Sequence, residues 1–396
     1  MIPRLSRSRW LLLASFLLLL ASAAECKQGP WTLWNAYASR FIDQQGRVID
    51  PQGGGRTTSE GQSYAMLFSL VNNDRARFDL LLKWTQDNLA GGSLAARLPG
   101  WLWGKSKEGD WKLLDSNPAS DSDAWIAYSL LEAGRLWKNP TYTSIGHAML
   151  AQIARQEVTE LPGFGLMLMP GPIALFSHKG TWTVNPSYLP AFLFQRFAAV
   201  DPKGPWNEIA INIPRLLRQG ARGGFAMDWL SYGQSAGFSP APTPGSGQPS
   251  NGSAAKSASP PAVGSYDAIR VYLWAGMLDG SGPARSESVN AVPGMGAYLA
   301  NHGAPPEKVS EQGVPLAQDG PVGFSAAVLP YLHVLPDGEK AAVLQKDRMS
   351  TQFDPASGLY GKDPTYYDQN LLLFATGFLD GRLGFGPHGE LRVEWK

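Results

Sequence analysis

Residues 119–137 read ASDSDAWIAYSLLEAGRLW. Ser120, with Asp123 three positions on, has the form of a helix start. Ile126, Leu130, Ala133 and Trp137 then recur at helical spacing along one face. The same grammar returns along the chain. Ser59 is followed by Gln62, a capping-box pair, and further starts stand near Ser187 (SYLPAFLFQRF), Ser265 (SYDAIRVYLWAGM), Ser325 (SAAVLPYLHVL) and Tyr366 (YYDQNLLLFATGF). Successive starts lie roughly 60 residues apart, room for two helices and their loops; the wider gap from Ser187 to Ser265 holds an insertion. Six helical hairpins in succession would close into an (α/α)6 barrel. The predicted class is therefore all-α with minor short β-strands. GFGLMLM (163–169) and TWTVN (181–185) are expected to form one small sheet.

The insertion, GQSAGFSPAPTPGSGQPSNGSAAKSASPPAVG (233–264), carries six prolines and a single charge, Lys256. It cannot bury apolar surface and is predicted to be a flexible surface loop. Its first five residues match the nucleophile-elbow pattern G-x-S-x-G, which needs a strand before it and a helix after it. Here the pattern opens a proline-rich loop and is a coincidence.

The chain begins with Arg4, Arg7 and Arg9, an apolar run from Trp10 to Leu20 and small residues through Ala24. That layout predicts a cleaved signal peptide over residues 1–24, followed by one catalytic domain over 25–396, exported to the periplasm or secreted. No later stretch is long and apolar enough to cross a membrane, so no stable membrane insertion is expected after cleavage. Loss of three arginines takes the formal charge from +1 to about −2 (31 basic against 33 acidic residues). This gives no electrostatic reason to bind nucleic acid. A lone cysteine excludes an intrachain disulfide framework. The five histidines are scattered, nothing has the spacing of a zinc or haem site, and no metal or cofactor is expected. The chain holds 14 Trp, 13 Tyr and 16 Phe with only 17% charged residues. Flat rings edged with a donor suit stacking on sugars, although most must fill the core.

In a helical barrel of this kind, half the helices bring their N-termini to one face. Glu60 after Ser59, Asp121 after Ser120, and Asp267 after Ser265-Tyr266 would then converge on one cleft. Each acid alone also suits the first turn of a helix, where the macrodipole favours it by about 0.3–1 kcal/mol. Together, two carboxylates facing across a glycan suffice for hydrolysis: one protonates the leaving oxygen, the other activates water. Arg270, one turn beyond Asp267, can share that face and pair with a carboxylate. Trp101 and Trp103 alternate around Leu102 in a Gly-flanked loop, one expected buried and one exposed; Tyr188 and Trp229 are further cleft candidates.

The 119–137 stretch resembles the signature of glycoside hydrolase family 8, A-[ST]-D-[AG]-D followed by spaced small and apolar positions, with Ser122 where Ala or Gly is usual. TTSEGQSY (57–64), RLPGWLWGK (97–105), NPSYLP (185–190), SYDAIRVYLW (265–274) and GPVGFSAA (320–327) extend the similarity over the chain outside the Pro/Ser insertion. The chain looks most like the periplasmic endo-β-1,4-glucanases that accompany bacterial cellulose synthase. That resemblance implies a monomeric, inverting endoglucanase acting on a β-1,4-glucan chain, alongside a cellulose synthase complex. Glu60 would be the general acid, Asp267 the general base and Asp121 the group holding the sugar. Tyr266 would resemble the tyrosine that positions the attacking water. A family member acting on chitosan or xylan, and a non-catalytic glycan-binding protein, are the alternatives. A binding protein would be expected to lose one of the acid pair. A polysaccharide lyase would want more cationic residues at the cleft than Arg270 and Lys105.

Overall fold

The computed structural model describes residues 29–244 and 261–396. The predicted leader (1–24) and the middle of the Pro/Ser insertion (245–260) lie outside the described residues. The chain divides into two units, Met1–Trp31 and Thr32–Lys396, and the second carries the fold. It is an (α/α)6 barrel of twelve helices: α1 (Thr32–Phe41), α2 (Ser59–Val71), α3 (Arg75–Leu89), α4 (Ser120–Leu136), α5 (Pro140–Gln156), α6 (Ala191–Val200), α7 (Trp206–Gly220), α8 (Ile269–Met277), α9 (Pro283–Ala291), α10 (Val322–Leu332), α11 (Glu339–Ser350) and α12 (Tyr366–Leu379). The even-numbered helices form the inner ring. Each packs against the odd-numbered helix that follows it, except that α12 pairs with α1.

Inner and outer helices differ in the way burial demands. Every residue of α8 and α10 is buried, and in α2 only Glu60 is not. Outer α7 instead buries one stripe, Ile209, Ile213, Leu216 and Leu217, with Glu208 and Arg218 among its other positions. Aromatic rings fill the centre. Trp125 of α4 lies 5.9 Å from Tyr64 of α2, 5.8 Å from Phe192 of α6, 5.5 Å from Trp274 of α8 and 5.2 Å from Phe374 of α12, ring centre to ring centre. One indole thus joins five of the six inner helices. Where α8 meets α10 the backbones touch: a Cβ on Gly276 would stand 2.2 Å from the Pro330 carbonyl carbon.

The strands form several small sheets rather than the one expected. Gly165–Leu168 pairs with Val158–Leu161, whereas Thr181–Val184 joins a four-stranded sheet with Ser177–His178, Trp229–Gly233 and Gly237–Ala241. The predicted flexible loop is therefore too wide. Residues 237–241 are a strand, and 263–264 pair with 309–310. GQSAG forms the turn between two strands, with Gly237 at φ +68°, so no helix follows it as a nucleophile elbow requires.

Candidate active site

Three loops deliver the acids to the N-terminal end of the inner ring. Thr58, in the short strand β1 (Thr57–Thr58), caps α2 by accepting from the Gly61 N–H at 3.1 Å, which leaves Glu60 in the first turn. β1 pairs with β2 (Leu102–Lys105), which pairs in turn with β3 (Trp111–Asp115). Just ahead of β2, the Trp101 carbonyl accepts from Ser59 N–H and its N–H donates to the Asn117 carbonyl, both at 2.9 Å. That one residue ties the start of α2 to the approach of α4, whose first turn holds Asp121. Asp267 is not in a helix. It lies in the turn before α8, which starts at Ile269 rather than near Ser265.

Arg270 joins the three. Its guanidinium donates to Glu60, to Asp267 at 2.7 Å, to Ser187 Oγ at 3.0 Å and to Tyr64 Oη at 3.2 Å, and stands 3.6 Å from Asp121. Its side chain is 2% exposed, against 19% for Glu60, 6% for Asp121 and 30% for Asp267. Burial opposes the guanidinium's charge, but the surrounding hydroxyls and carboxyls outweigh it and bind the proton more firmly still. Glu60 and Asp267 thus stand close together at one end of the inner ring, separated by no more than one guanidinium and two hydrogen bonds. They are 207 positions apart in sequence (267 − 60).

Asp121 behaves differently. Burial pushes its carboxyl up to about 7, Arg270 pulling it back and Glu60 pushing further, while the Ser122 N–H and hydroxyl donate to it at 2.6 and 3.1 Å. Behind it, Asp123 and Glu157 are fully buried and face each other. Their four carboxyl oxygens meet no N–H or O–H donor among the described residues, an arrangement that favours holding a proton over leaving two facing charges. Burial first, then the facing acid, drives the Asp123 carboxyl well up; burial pushes Glu157 to about 8.

The aromatic candidates separate. Tyr188 lies beside the cluster, its ring centre 5.7 Å from the Arg270 guanidinium. Its hydroxyl is driven well up, by burial first and then by the charges of Asp121 and Asp267. Half-buried Trp229 continues the line, 6.2 Å from Tyr188 and parallel to Phe176 at 6.3 Å. Tyr266 is turned away: its hydroxyl donates to Glu307 at 2.9 Å and its side chain is exposed. The tyrosines in the field of the acids include Tyr64, Tyr188, Tyr366, whose hydroxyl donates to Glu60 at 3.5 Å, and Tyr367, which donates to the Tyr266 carbonyl. Trp101 and Trp103 are both half-buried, not one buried and one exposed. Trp103 is stacked on Trp111 at 5.0 Å and edge-on to Trp84, with Arg47 4.4 Å from its ring, so its faces are largely taken.

Sequence reasoning missed Asp228, although it adjoins Trp229. It is 5% exposed and accepts from Ser265 N–H at 2.7 Å, Ala268 N–H at 2.8 Å and the Ser265 hydroxyl. No local signal marks a residue whose partners lie about forty positions on. Among the described residues no group of three or more acidic, histidine or cysteine side chains could hold a metal ion, and no helix is long and apolar enough to cross a membrane.

Residues 5–380 match the model of a family described as glycosyl hydrolases family 8. The chain is 45% identical over 383 residues to an endoglucanase of Xanthomonas axonopodis pv. citri, covering 95% of this chain and 92% of that one. It is 42% identical to an endoglucanase of Escherichia coli K12, covering 96% and 95%. Among solved structures, an endo-1,4-D-glucanase from Vibrio fischeri ES114 superposes with a TM-score of 0.81 at 36% identity, over 92% of this chain and 99% of that one.

Proposed function

The chain belongs to glycosyl hydrolases family 8, and from that premise we propose that it is an inverting endo-β-1,4-glucanase that cuts cellulose within the chain. The observation that carries this reading is the pair Glu60 and Asp267 held close to each other by Arg270. In an inverting reaction, Glu60 gives its proton to the glycosidic oxygen as the bond to the anomeric carbon breaks. Asp267 takes a proton from the water that attacks that carbon from the opposite face. Such pairs stand about 6.5–9.5 Å apart to leave room for the water. Asp121, deeper and more readily protonated than an ordinary carboxyl, is suited to hydrogen-bond the sugar at the point of cleavage. We assign the orienting of the water to Tyr188, beside the cluster, because the Tyr266 hydroxyl is taken by Glu307. Trp101 and Trp229 offer flanking surfaces for glucose rings.

The endoglucanase names of relatives 36–45% identical support the substrate class. The N-terminal Arg-apolar-small pattern supports export to the periplasm, where the enzyme would trim glucan beside a cellulose synthase. Both acids are in place, which disfavours a purely glycan-binding role.

Purified mature protein should release reducing ends from carboxymethylcellulose with a steep early fall in viscosity, and newly formed anomers should appear inverted by NMR. Glu60→Gln and Asp267→Asn should each lower turnover at least about 10³-fold without unfolding the protein. Retained anomers would refute the inverting assignment. Preference for chitosan or xylan in the same assay would move the substrate.

A further inference from the structure

The turn that carries Asp267 has no helix of its own to hold it. Ser265 to Ala268 precede α8, and Asp267 is followed only by the first α8 bonds, Ile269 N–H to Ser265 O at 3.0 Å and Arg270 N–H to Asp267 O at 3.1 Å. Arg270 reaches the Asp267 carboxylate itself and Tyr367 donates to the Tyr266 carbonyl, but the bonds to the backbone N–H groups on either side of Asp267 come from a different part of the chain. Asp228 is anchored through its own N–H to the Val263 carbonyl at 2.9 Å and stands next to the strand 229–233. One of its carboxyl oxygens, Oδ1, accepts both Ser265 N–H and Ala268 N–H; the other, Oδ2, accepts the Ser265 hydroxyl. These bonds straddle Asp267 on both sides in sequence.

We propose that Asp228 is a positioning residue for the reaction: it ties the turn bearing Asp267 and so fixes where that carboxylate stands. The inference rests on the reading of Asp267 as general base. Two observations make it more than a structural cap. The carboxyl group is nearly closed to solvent, at 5% exposure, yet among the described residues no lysine or arginine forms an ion pair with it; Arg270 is committed to Glu60, Asp267, Ser187 and Tyr64. Burial first, and then the charge of Asp267, push the Asp228 carboxyl up to about 6, so the two acids sense each other.

Two substitutions separate the clamp from the charge. Asp228→Asn keeps an oxygen for the two backbone N–H groups and an amide for Ser265, but loses the charge. Asp228→Ala loses both. With carboxymethylcellulose, Asp228→Ala should lower kcat by about 100-fold with KM within about twofold, the signature of a base held off its mark rather than of lost substrate contacts. Asp228→Asn, which keeps an oxygen for the two backbone N–H groups, should hold kcat within about tenfold of the parent, the rescue expected of a clamp. If the alanine variant does not fold, Ser265→Ala, which removes only the hydroxyl bond to Oδ2, should lower kcat by about threefold at unchanged KM, and an unchanged kcat there overturns the proposal. An asparagine variant as slow as the alanine one, or a change confined to KM in the alanine variant, also overturns it. If Asp267→Asn retains full activity, the base assignment itself fails, an outcome read independently of position 228.

Discussion

Arg270 is the residue on which the site turns. It is nearly sealed from water, and it satisfies five oxygen-bearing side chains from four parts of the chain. A lysine brings one point of charge where the guanidinium brings a planar fork, so it cannot serve Glu60, Asp267 and Ser187 together. Arg270→Lys is therefore expected to lower kcat by about 100-fold while retaining the fold, measured by steady-state kinetics beside a circular-dichroism melt. A kcat within threefold of the parent would show the bridge to be dispensable. The sequence announced Arg270 only as a neighbour of Asp267. Its reach to Glu60, 210 positions away, is a product of the fold. Capping logic also misled locally. Gln62 does not reach back to its helix start; it accepts from Val48 N–H at 2.6 Å and donates to Gly46 O and Thr85 Oγ1. Asp123 turns towards Glu157 instead of capping α4. In each case burial made a tertiary partner worth more than a local one.

At the scale of elements, helix starts were legible because apolar spacing survives burial, and the spacing of about sixty residues gave the hairpin count. Less legible were positions fixed by neighbouring chains. Asp267 fell outside its helix because the Asp228 bonds hold residues 265 and 268 in a turn. The α8–α10 contact gives a test of inner-ring packing. Adding one methyl at Gly276 places it 2.2 Å from both the Pro330 carbonyl carbon and the Tyr331 nitrogen, atoms that cannot move aside like a side chain. Gly276→Ala should cost about 1–3 kcal/mol, read as a lower denaturant midpoint at unchanged slope. No loss of stability would mean that the two helices are free to part.

For the whole molecule, buried acids set the pH response. Asp121 at about 7 and Glu157 at about 8 hold protons in the folded state that the unfolded chain, with carboxyls near 4, releases much earlier. Between those values the folded form binds more protons, so stability falls as pH rises from about 4 towards 8 and then levels. Glu157→Gln removes one titrating member and can still donate to Asp123. Its Tm should fall less between pH 5 and pH 8.5 than the parent's. Equal slopes would show that the pair does not titrate in the folded protein.

The Trp125 cluster has one more effect. It stops the bore of the ring beneath the carboxyls like a bung, so a polymer cannot thread the molecule as a rope runs through a pulley block. A strand can therefore meet the carboxyls only at the mouth of the ring. Nothing about such a seat requires a chain terminus, and a scissor of this build nips a long fibre wherever it happens to sag into reach.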